Sequence, residues 1–169
     1  MQKHYPEIPF ERYADDGVLH CRSKEQAERL DVAFDFLGFT FRPRGAKGKD
    51  GSLFTGFVPA ISNKAAKAIR QEIRGWELQK KSDKSLDDLA RMFNAVIRGW
   101  IAYYGVFYRS ALNPIWRHLN RKLVLWAARK FKHFRGHRQR AENWLLGVAR
   151  SQPDLFAHWR LFYGTKLTG

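Results

Sequence analysis

The N-terminal part of the chain alternates between apolar and polar positions with a period of about two, which is typical of β-strands. Two short apolar runs of this kind span residues 8–13 and 17–21, and the acidic pair Asp15-Asp16 stands between them. Because Asp and Gly tolerate the dihedral angles of tight turns, the dipeptide Asp16-Gly17 favours a hairpin turn here. We therefore expect a β-hairpin with both aspartates on or beside its turn.

The stretch FDFLGFTF, residues 34–41, also alternates, but its aromatic side chains change parity near Gly38. An extra residue in one strand produces such a change, so we expect a β-bulge at Leu37-Gly38. The glycine- and lysine-rich sequence RPRGAKGKDG follows as a predicted loop, and residues 53–58 have the pattern of a second strand. This predicts a second hairpin, in which 53–58 returns beside 34–41.

Beyond residue 60 the apolar positions recur with a period of about 3.6, which is typical of amphipathic helices. The predicted helix starts are, in chain order, Ser62 or Asn63, the capping box Ser85–Asp88, Asn113 with Pro114, and the start of a shorter helix over 141–150. The tryptophans that fall on apolar stripes, and that we predict to be core residues, are Trp76, Trp100, Trp126 and Trp144. The patterns together predict an α+β fold, with antiparallel β-hairpins over residues 1–59 and a mainly α-helical bundle over residues 60–169.

Composition supports a folded protein and excludes several classes. The 169 residues are 44% hydrophobic and 15% aromatic, which is enough to form one ordinary domain or two small ones. The single cysteine, Cys21, excludes an internal disulfide and a cysteine-rich zinc site. No apolar run reaches about 18 residues, and the N-terminus lacks the apolar core of a signal peptide. We therefore expect a cytoplasmic protein with no membrane partner.

Charge points to a polyanionic partner. Lys and Arg number 31 against 16 Asp and Glu, which gives a formal net charge of +15. The segment from Arg109 to Arg150 holds eleven Lys or Arg and one acid, Glu142, so it supplies +10 of that surplus. Like charges at this density repel each other, and a polyanion would relieve the repulsion. Nucleic acid is accordingly the first partner that we consider.

The candidate nucleic-acid contacts lie in this basic segment. They are Arg109, Arg117, Arg121, Lys122, Arg129, Lys130, Lys132, Arg135, Arg138 and Arg140. His133 and His137 have the i, i+4 spacing of metal ligands, but no third ligand is near, so we interpret them as part of the basic patch. Four aromatic residues precede the segment, and the sequence leaves open whether they pack internally or stack on bases: Tyr103, Tyr104, Phe107 and Tyr108.

Adjacent aspartates on a rigid turn suit the binding of Mg²⁺, because hard cations prefer oxygen ligands and enzymes that act on phosphodiesters need such metals. Asp15 and Asp16 are therefore candidate catalytic and metal-binding residues. The sequence Asp-Asp-Gly is also a common solvated turn, and turn chemistry alone leaves that interpretation open.

Several long motifs resemble one family in its own order. FERYADDGVLHCRS resembles the motif that carries the paired catalytic aspartates of reverse transcriptases, in particular those encoded by bacterial group II introns, and FDFLGFTFRPR resembles their primer-grip hairpin. AISNKAAKAIRQEIRGW, SLDDLARMFNAVIRGWIAYYG and the later LFAHW resemble the helical thumb, or maturase X domain. The resemblance implies a palm remnant over 1–59 and a thumb or X domain over 60–169, which in that family binds the intron RNA and assists splicing.

The resemblance also implies a role for the acidic pair, and the sequence departs from the family's pattern at two places. Asp15 and Asp16 would be the metal-binding pair of an RNA-directed DNA polymerase, with Tyr13 completing the motif. The family takes a third carboxylate, and its fingers, from sequence upstream of this motif, and the present chain starts just before Tyr13. After Leu30 the family continues its helix and adds a strand before FDFLG, whereas here Asp31 and Val32 lead almost directly to Phe34. We therefore do not expect this chain to polymerise alone, because a site with one carboxylate fewer holds Mg²⁺ poorly.

Three hypotheses follow. The leading one is an RNA-binding fragment of a group II intron reverse transcriptase and maturase, whose partner is intron RNA or another structured RNA, with DNA or an RNA–DNA duplex also open. The second is a polymerase restored by another reverse-transcriptase chain that supplies the fingers and the third carboxylate, with Mg²⁺ as cofactor. The third is a decayed interaction module without activity.

Overall fold

The computed structural model describes residues 10–13, 16–19, 33–42, 44–47, 53–56 and 59–164. Contacts divide the chain into two compact units, residues 1–34 with 41–58, and residues 35–40 with 59–169. The second unit contains the helices, and the predicted nucleic-acid contacts all belong to it.

The described strands are short and antiparallel. They are β1 (Phe10–Tyr13), β2 (Asp16–Leu19), β3 (Phe34–Phe36), β4 (Phe39–Phe41), β5 (Arg44–Lys47), β6 (Leu53–Gly56) and β7 (Ala60–Ile61). In the first unit β1 pairs with β2, and Tyr13 lies opposite Asp16. The predicted hairpin is confirmed, and Asp16 lies beside its turn as expected. The predicted turn position at Asp16-Gly17 is wrong, because both residues pair within β2. The sequence signal favoured Asp-Gly, but the pairing register places Gly17 opposite Arg12.

The stretch 34–41 forms a hairpin by itself. Leu37 and Gly38 have φ angles of 47° and 80°, the pair of positive angles that a two-residue type I′ turn requires. The predicted bulge is wrong, since the aromatic parity changes where the chain reverses. A Cβ on Gly38 would lie 3.0 Å from the Tyr104 hydroxyl oxygen, so both φ and space favour glycine.

The partners of these strands also differ from the prediction. β4 is the middle strand of a three-stranded sheet in the order β3-β4-β7, with Phe39 opposite Ile61. β6 pairs with β5, which lies in the segment predicted to be a loop. The prediction that 53–58 pairs with 34–41 is therefore wrong, because each run already has a nearer partner along the chain.

Among the described residues there are five α-helices. They are α1 (Asn63–Gly75), α2 (Leu86–Tyr104), α3 (Asn113–Lys130), α4 (Arg138–Ser151) and α5 (Trp159–Tyr163). The predicted α+β class, with small β-elements followed by a helical bundle, is confirmed. Within the described residues, no helix combines the length and the apolar character that crossing a membrane requires.

The helix starts confirm most of the predicted caps. The Ser62 hydroxyl accepts a hydrogen bond from the amide of Ala65 at 3.1 Å, and Ser85 and Asp88 form the reciprocal capping box. The cap at Asn113 is wrong: Leu112 is the N-cap residue, and Asn113 is already helical. A 3₁₀ segment, Arg109–Leu112, leads directly into α3, so no extended residue is available to cap it.

The helices surround one apolar core. Of the predicted tryptophans, Trp76 and Trp126 are buried, whereas Trp100 and Trp144 pack half-buried at its edge. Trp116 and Trp159 are completely buried and were not among the predicted core residues. α5 was also not predicted, because a five-residue helix carries too little periodicity to be recognised.

A polar cluster lies inside this core. The side-chain oxygen of Asn120, on α3, accepts hydrogen bonds from the Trp159 indole at 3.2 Å and from the His158 ring at 2.9 Å. The indole N–H can only donate, so it fixes the Asn120 oxygen toward both rings and fixes the His158 proton on Nε2. Complete burial lowers the pKa of His158 to about 3, so the ring is neutral at pH 7.

A second buried amide ties the C-terminal segment to α2. The Asn94 side chain donates to the carbonyl of Leu155 at 2.8 Å and accepts from the amide of Ala157 at 3.0 Å. Asn94 and Asn120 together hold the segment before α5 against α2 and α3. These contacts join residues more than 35 positions apart in the chain.

Candidate nucleic-acid interface

The outer side of α3 carries a line of arginines. Arg117, Arg121 and Arg129 are exposed and lie one or two helical turns apart, with the exposed Leu125 between the last two. The buried side of the same helix consists of Ile115, Trp116, Leu119, Asn120, Leu123, Val124, Trp126 and Ala127. Because burial fixes one side of the helix, the residues spaced four apart on the other side face solvent. The arginines thus extend over about 18 Å of the helix axis.

Helix α1 brings further cations to α3. Burial lowers the pKa of His118, on α3, and positive charges lower it further; these belong to Lys122, Arg74, Arg70 and Arg121. Arg70 and Arg74 are on α1, so cations of both helices act on one imidazole. Its Nε2 atom is buried and has no hydrogen-bond partner among the described residues.

This arrangement defines a surface that we call the cationic face. It consists of Arg70, Arg74, Arg117, Arg121, Lys122 and Arg129. Its members make no ion pair with any of the residues that the structure describes. Six cations without ion-pair partners among the described residues give a positive potential that attracts an anionic partner.

In the joint between α3 and α4, residues 131–137, aromatic and basic residues are interleaved along the chain but have different surroundings. Phe134 is buried, and its ring centroid lies 5.7 Å from that of Trp144, while Phe131 contacts Trp144 at 5.4 Å. Gly136, with φ of 72°, turns the chain before α4 begins. The exposed basic residues of the joint and the first turn of α4 are Lys132, His133, Arg135, His137, Arg138 and Arg140. The aromatic residues therefore belong to the core, and the basic ones to the surface.

Lys130 differs from the members of the cationic face because backbone carbonyls of the protein already bind it. Its ammonium group donates to the backbone carbonyls of Ser82 and Lys84, at 2.9 and 2.8 Å, and lies 5.6 Å from the Trp126 ring centroid. The Trp126 indole donates to the carbonyl of Lys81 at 2.9 Å. Lys130 and Trp126 thus fasten the turn before α2 to the end of α3.

Two more predicted contacts have distinct surroundings. Arg138 donates to the Glu142 carboxylate at 2.9 Å across one turn of α4, on the exposed side of the helix. An exposed pair of this kind contributes little to stability and can exchange its partner. Arg109 is exposed at the start of the 3₁₀ segment before α3.

The aromatic residues at the end of α2 and just beyond it pack against the β3–β4 hairpin. The Phe39 ring centroid lies 5.4 Å from that of Tyr103, 5.5 Å from Tyr104 and 5.6 Å from Phe107. The Tyr103 hydroxyl donates to the Leu37 carbonyl at 3.0 Å. Internal packing is therefore one role of these rings. Tyr103 and Phe107 nevertheless remain 48% and 54% exposed, which leaves ring surface for stacking.

The acidic pair of the first hairpin lies partly outside the described residues. Asp15 is outside them, and Asp16 begins β2 opposite Tyr13. In the part of the chain that the structure describes, no group of three or more His, Cys, Asp or Glu side chains could hold a metal ion. The catalytic and Mg²⁺-binding roles of Asp15 and Asp16 stay predictions, and no chemical step is assigned to them.

The predicted contacts include the arginines of α3 but not their neighbours on α1, Arg70 and Arg74. The i, i+4 spacing of these two places them on one side of α1, and this was the available signal. Which other helix that side approaches depends on tertiary packing, and the pattern of one helix does not contain that information.

Comparison with known families adds an independent finding. Residues 66–144 match the family model described as "Group II intron, maturase-specific domain". The matched segment runs from α1 into α4 and includes the whole cationic face. Neither a comparison with curated proteins nor a comparison with solved structures finds a match.

Proposed function

Because residues 66–144 match the family model of the group II intron maturase-specific domain, we propose that this chain binds group II intron RNA through its cationic face and thereby assists splicing. The observation that carries the proposal is the meeting of α1 and α3 cations around His118. Phosphate groups are the partners that unpaired guanidinium and ammonium groups select most readily.

The geometry of the cationic face suits a folded RNA backbone. The α3 arginines follow one another along a straight helix, and the α1 arginines add width to the row. A rigid positive surface of this shape contacts phosphates and reads the form of a helix rather than its base sequence. The joint residues Lys132, Arg135 and Arg140 are exposed beyond the end of α3 and extend the positive surface.

A salt titration tests the electrostatic part of this proposal. With about six phosphate contacts, the affinity for a folded intron RNA should fall about a thousandfold between roughly 50 and 200 mM salt. The measurement is equilibrium binding of labelled RNA at several salt concentrations. A flat titration contradicts the proposal.

A variant that neutralises the α3 row tests the location. The triple substitution Arg117→Gln, Arg121→Gln and Arg129→Gln should lower the affinity by about one to two orders of magnitude and reduce the salt slope by about two to three. The matched control removes three cations that are ion-paired in the structure, through Lys80→Gln, Arg91→Gln and Arg160→Gln. If the control lowers affinity as much as the α3 variant, net charge rather than this surface determines binding.

Two further measurements connect binding to the joint and to splicing. Crosslinking of the protein to intron RNA should give attached residues mainly between 109 and 140, and the variant Arg135→Gln, Arg138→Gln, Arg140→Gln should bind more weakly. Splicing of an intron that depends on the protein should decline in the same order as RNA affinity across these variants. A variant that binds normally and fails to support splicing would separate the two parts of the proposal.

A further inference from the structure

A groove runs between α1 and α2, and none of its lining residues belongs to the cationic face. Its volume is about 450 Å³, which is within the range of small-molecule sites, about 300 to 1,000 Å³. From α1 it is lined by small or apolar residues, among them Ala65 and Ala68, and by Glu72. From α2 it is lined mainly by the aromatic residues Trp100, Tyr103 and Tyr104. One wall is therefore aromatic and the other has little side-chain bulk.

The aromatic wall is held in place by stacking. Trp100 lies 5.5 Å from Trp76 between ring centroids, with an angle of 7° between the planes. Trp76 stacks in turn on Phe93 at 4.1 Å and 13°. Stacked rings of this kind restrict each other's rotation, so Trp100 is held in one orientation at the groove. Tyr103, at the same wall, is tied to the β3–β4 hairpin by its hydroxyl.

Glu72 places one carboxylate in this apolar groove. Its Oε1 atom accepts a hydrogen bond from the Trp76 indole at 3.4 Å. Among the described residues Glu72 makes no ion pair, whereas Glu77, Asp88 and Glu142 each pair with a nearby cation. A carboxylate has about four acceptor positions, so Glu72 retains capacity for a ligand with N–H donors.

A cation borders the groove without lining it. Lys64 directly precedes the lining residue Ala65 and is exposed. One residue along a helix is a rotation of about 100°, so Lys64 projects beside the groove on its α1 edge. The groove therefore combines an aromatic wall, one carboxylate acceptor and a positive charge at its rim.

These features complement a nucleotide group by group, and we propose that the groove binds one unpaired guanine of the RNA. Its ring would stack on the aromatic wall, its phosphate would lie near Lys64, and its adjacent N–H groups would donate to Glu72. Guanine suits a carboxylate because two neighbouring donors lie on one edge, whereas uracil has one donor between two carbonyl oxygens. The proposal rests on the RNA binding proposed above and adds a site where a base is recognised.

Titration of the intact protein with guanosine 5′-monophosphate and uridine 5′-monophosphate tests this directly. The readout is the NMR signals of the Trp76 and Trp100 indole N–H groups, assigned from Trp→Phe variants. Guanosine monophosphate should shift both signals with saturation, and its affinity should exceed that of uridine monophosphate about tenfold, the usual worth of a bidentate base contact. Absence of a saturable shift with guanosine monophosphate overturns the proposal.

Two variants locate the effect. Glu72→Gln keeps the side-chain shape and an acceptor for the indole, and it should remove most of the preference for guanine. Ala68→Leu should fill the groove and abolish both shifts; its control is Ala102→Leu, an exposed alanine of α2 outside the lining. Equal preference for guanine in Glu72→Gln overturns the assigned role of Glu72.

The outcomes separate this proposal from the proposed function. If intron RNA binds with the expected salt dependence but the nucleotide shifts are absent, the guanine site is wrong and the cationic face stands. If the nucleotide shifts occur while intron RNA does not bind, the proposed function is wrong. A third ligand, N-acetyltryptophanamide, represents an apolar protein side chain. If it shifts the same signals equally in the unaltered protein and in Glu72→Gln, while guanosine monophosphate shifts them in neither, the groove receives an apolar protein side chain and the guanine proposal fails.

Discussion

The two sides of helix α3 use polar residues in opposite ways. On the inner side Asn120 is buried, and one oxygen atom accepts from both His158 and Trp159. On the outer side Arg117 and Arg121 are exposed and make no ion pair within the described residues. The buried amide accepts hydrogen bonds from ring N–H groups that would otherwise have no acceptor. The exposed guanidinium groups keep their donors available for an external partner.

The difference teaches how to separate stability from binding in this domain. A polar group with a buried protein partner contributes to the free energy of folding, because its removal leaves that partner in the core without a hydrogen bond. A solvated cation without a partner contributes little to folding and can contribute to RNA affinity. Lys130 is an intermediate case, since it is half-buried and holds two carbonyls. The predictions below change one side of this comparison at a time.

The largest effect is expected from Asn120→Ala. It removes the acceptor of two buried N–H groups, those of His158 and Trp159, and each stranded donor costs about 1 to 3 kcal/mol. The free energy of unfolding, measured by urea denaturation, should therefore fall by about 2 to 5 kcal/mol. Arg117→Ala on the outer side is the control and should change it by less than about 0.5 kcal/mol. Equal effects of the two would remove the distinction between the sides.

The second-largest effect is expected from acid, which should lower the free energy of unfolding through the buried His158 on the inner side. The pKa of His158 is about 3 in the folded protein, because of burial, against about 6.5 when unfolded. As pH falls, the unfolded chain binds the proton before the folded protein does. The free energy of unfolding is therefore unaffected by this group above about pH 6.5, and it falls below that pH by up to about 1.4 kcal/mol per pH unit.

The measurement is the unfolding free energy between pH 7.5 and pH 5, where a loss of about 2 kcal/mol is expected from this group. The pKa of His118 is lowered as well, so it acts in the same direction. His158→Gln isolates the contribution of His158, because it should flatten the pH dependence whatever its effect on stability at pH 7.5. An unchanged slope in this variant would assign the acid sensitivity elsewhere.

Lys130→Met tests the intermediate case. It removes two charge-assisted hydrogen bonds and the contact with Trp126, and it should lower the free energy of unfolding by about 1 to 2 kcal/mol. The control is Lys132→Met, two residues on and exposed. RNA affinity should fall no more in Lys130→Met than in Lys132→Met. A stable Lys130→Met protein that binds RNA poorly would place Lys130 with the outer side.

The helices were predictable because their signals are local. Ser62 and the Ser85–Asp88 box mark starts that depend on neighbouring residues alone, and the structure confirms both. The α3 start failed because a 3₁₀ segment displaces the cap at Asn113. The hairpins failed in register because turn position depends on which strands pair, and Leu37 adopts a positive φ that its type rarely shows.

The candidate interface was half predictable for the same reason. The arginines of α3 follow from charge and periodicity in a single helix. Their meeting with Arg70 and Arg74 depends on how α1 packs on α3. The Asn120–His158 pair joins distant parts of the chain, and no periodic pattern indicates that two polar residues will meet in a core.

The smallest effect, and the most specific, is expected from Arg121→Gln alone. Arg121 is exposed, and its charge acts on His118 together with three other cations, so the fold loses little without it. One phosphate contact fewer should reduce the slope of log affinity against log salt by slightly less than about one, and lower affinity a few-fold at moderate salt. Arg91→Gln, which removes an arginine paired with Asp88, is the control and should leave the slope unchanged. A lower salt slope with an unchanged free energy of unfolding would show that Arg121 acts in RNA binding. Destabilisation with an unchanged salt slope would show that Arg121, like Asn120, acts in stabilising the fold.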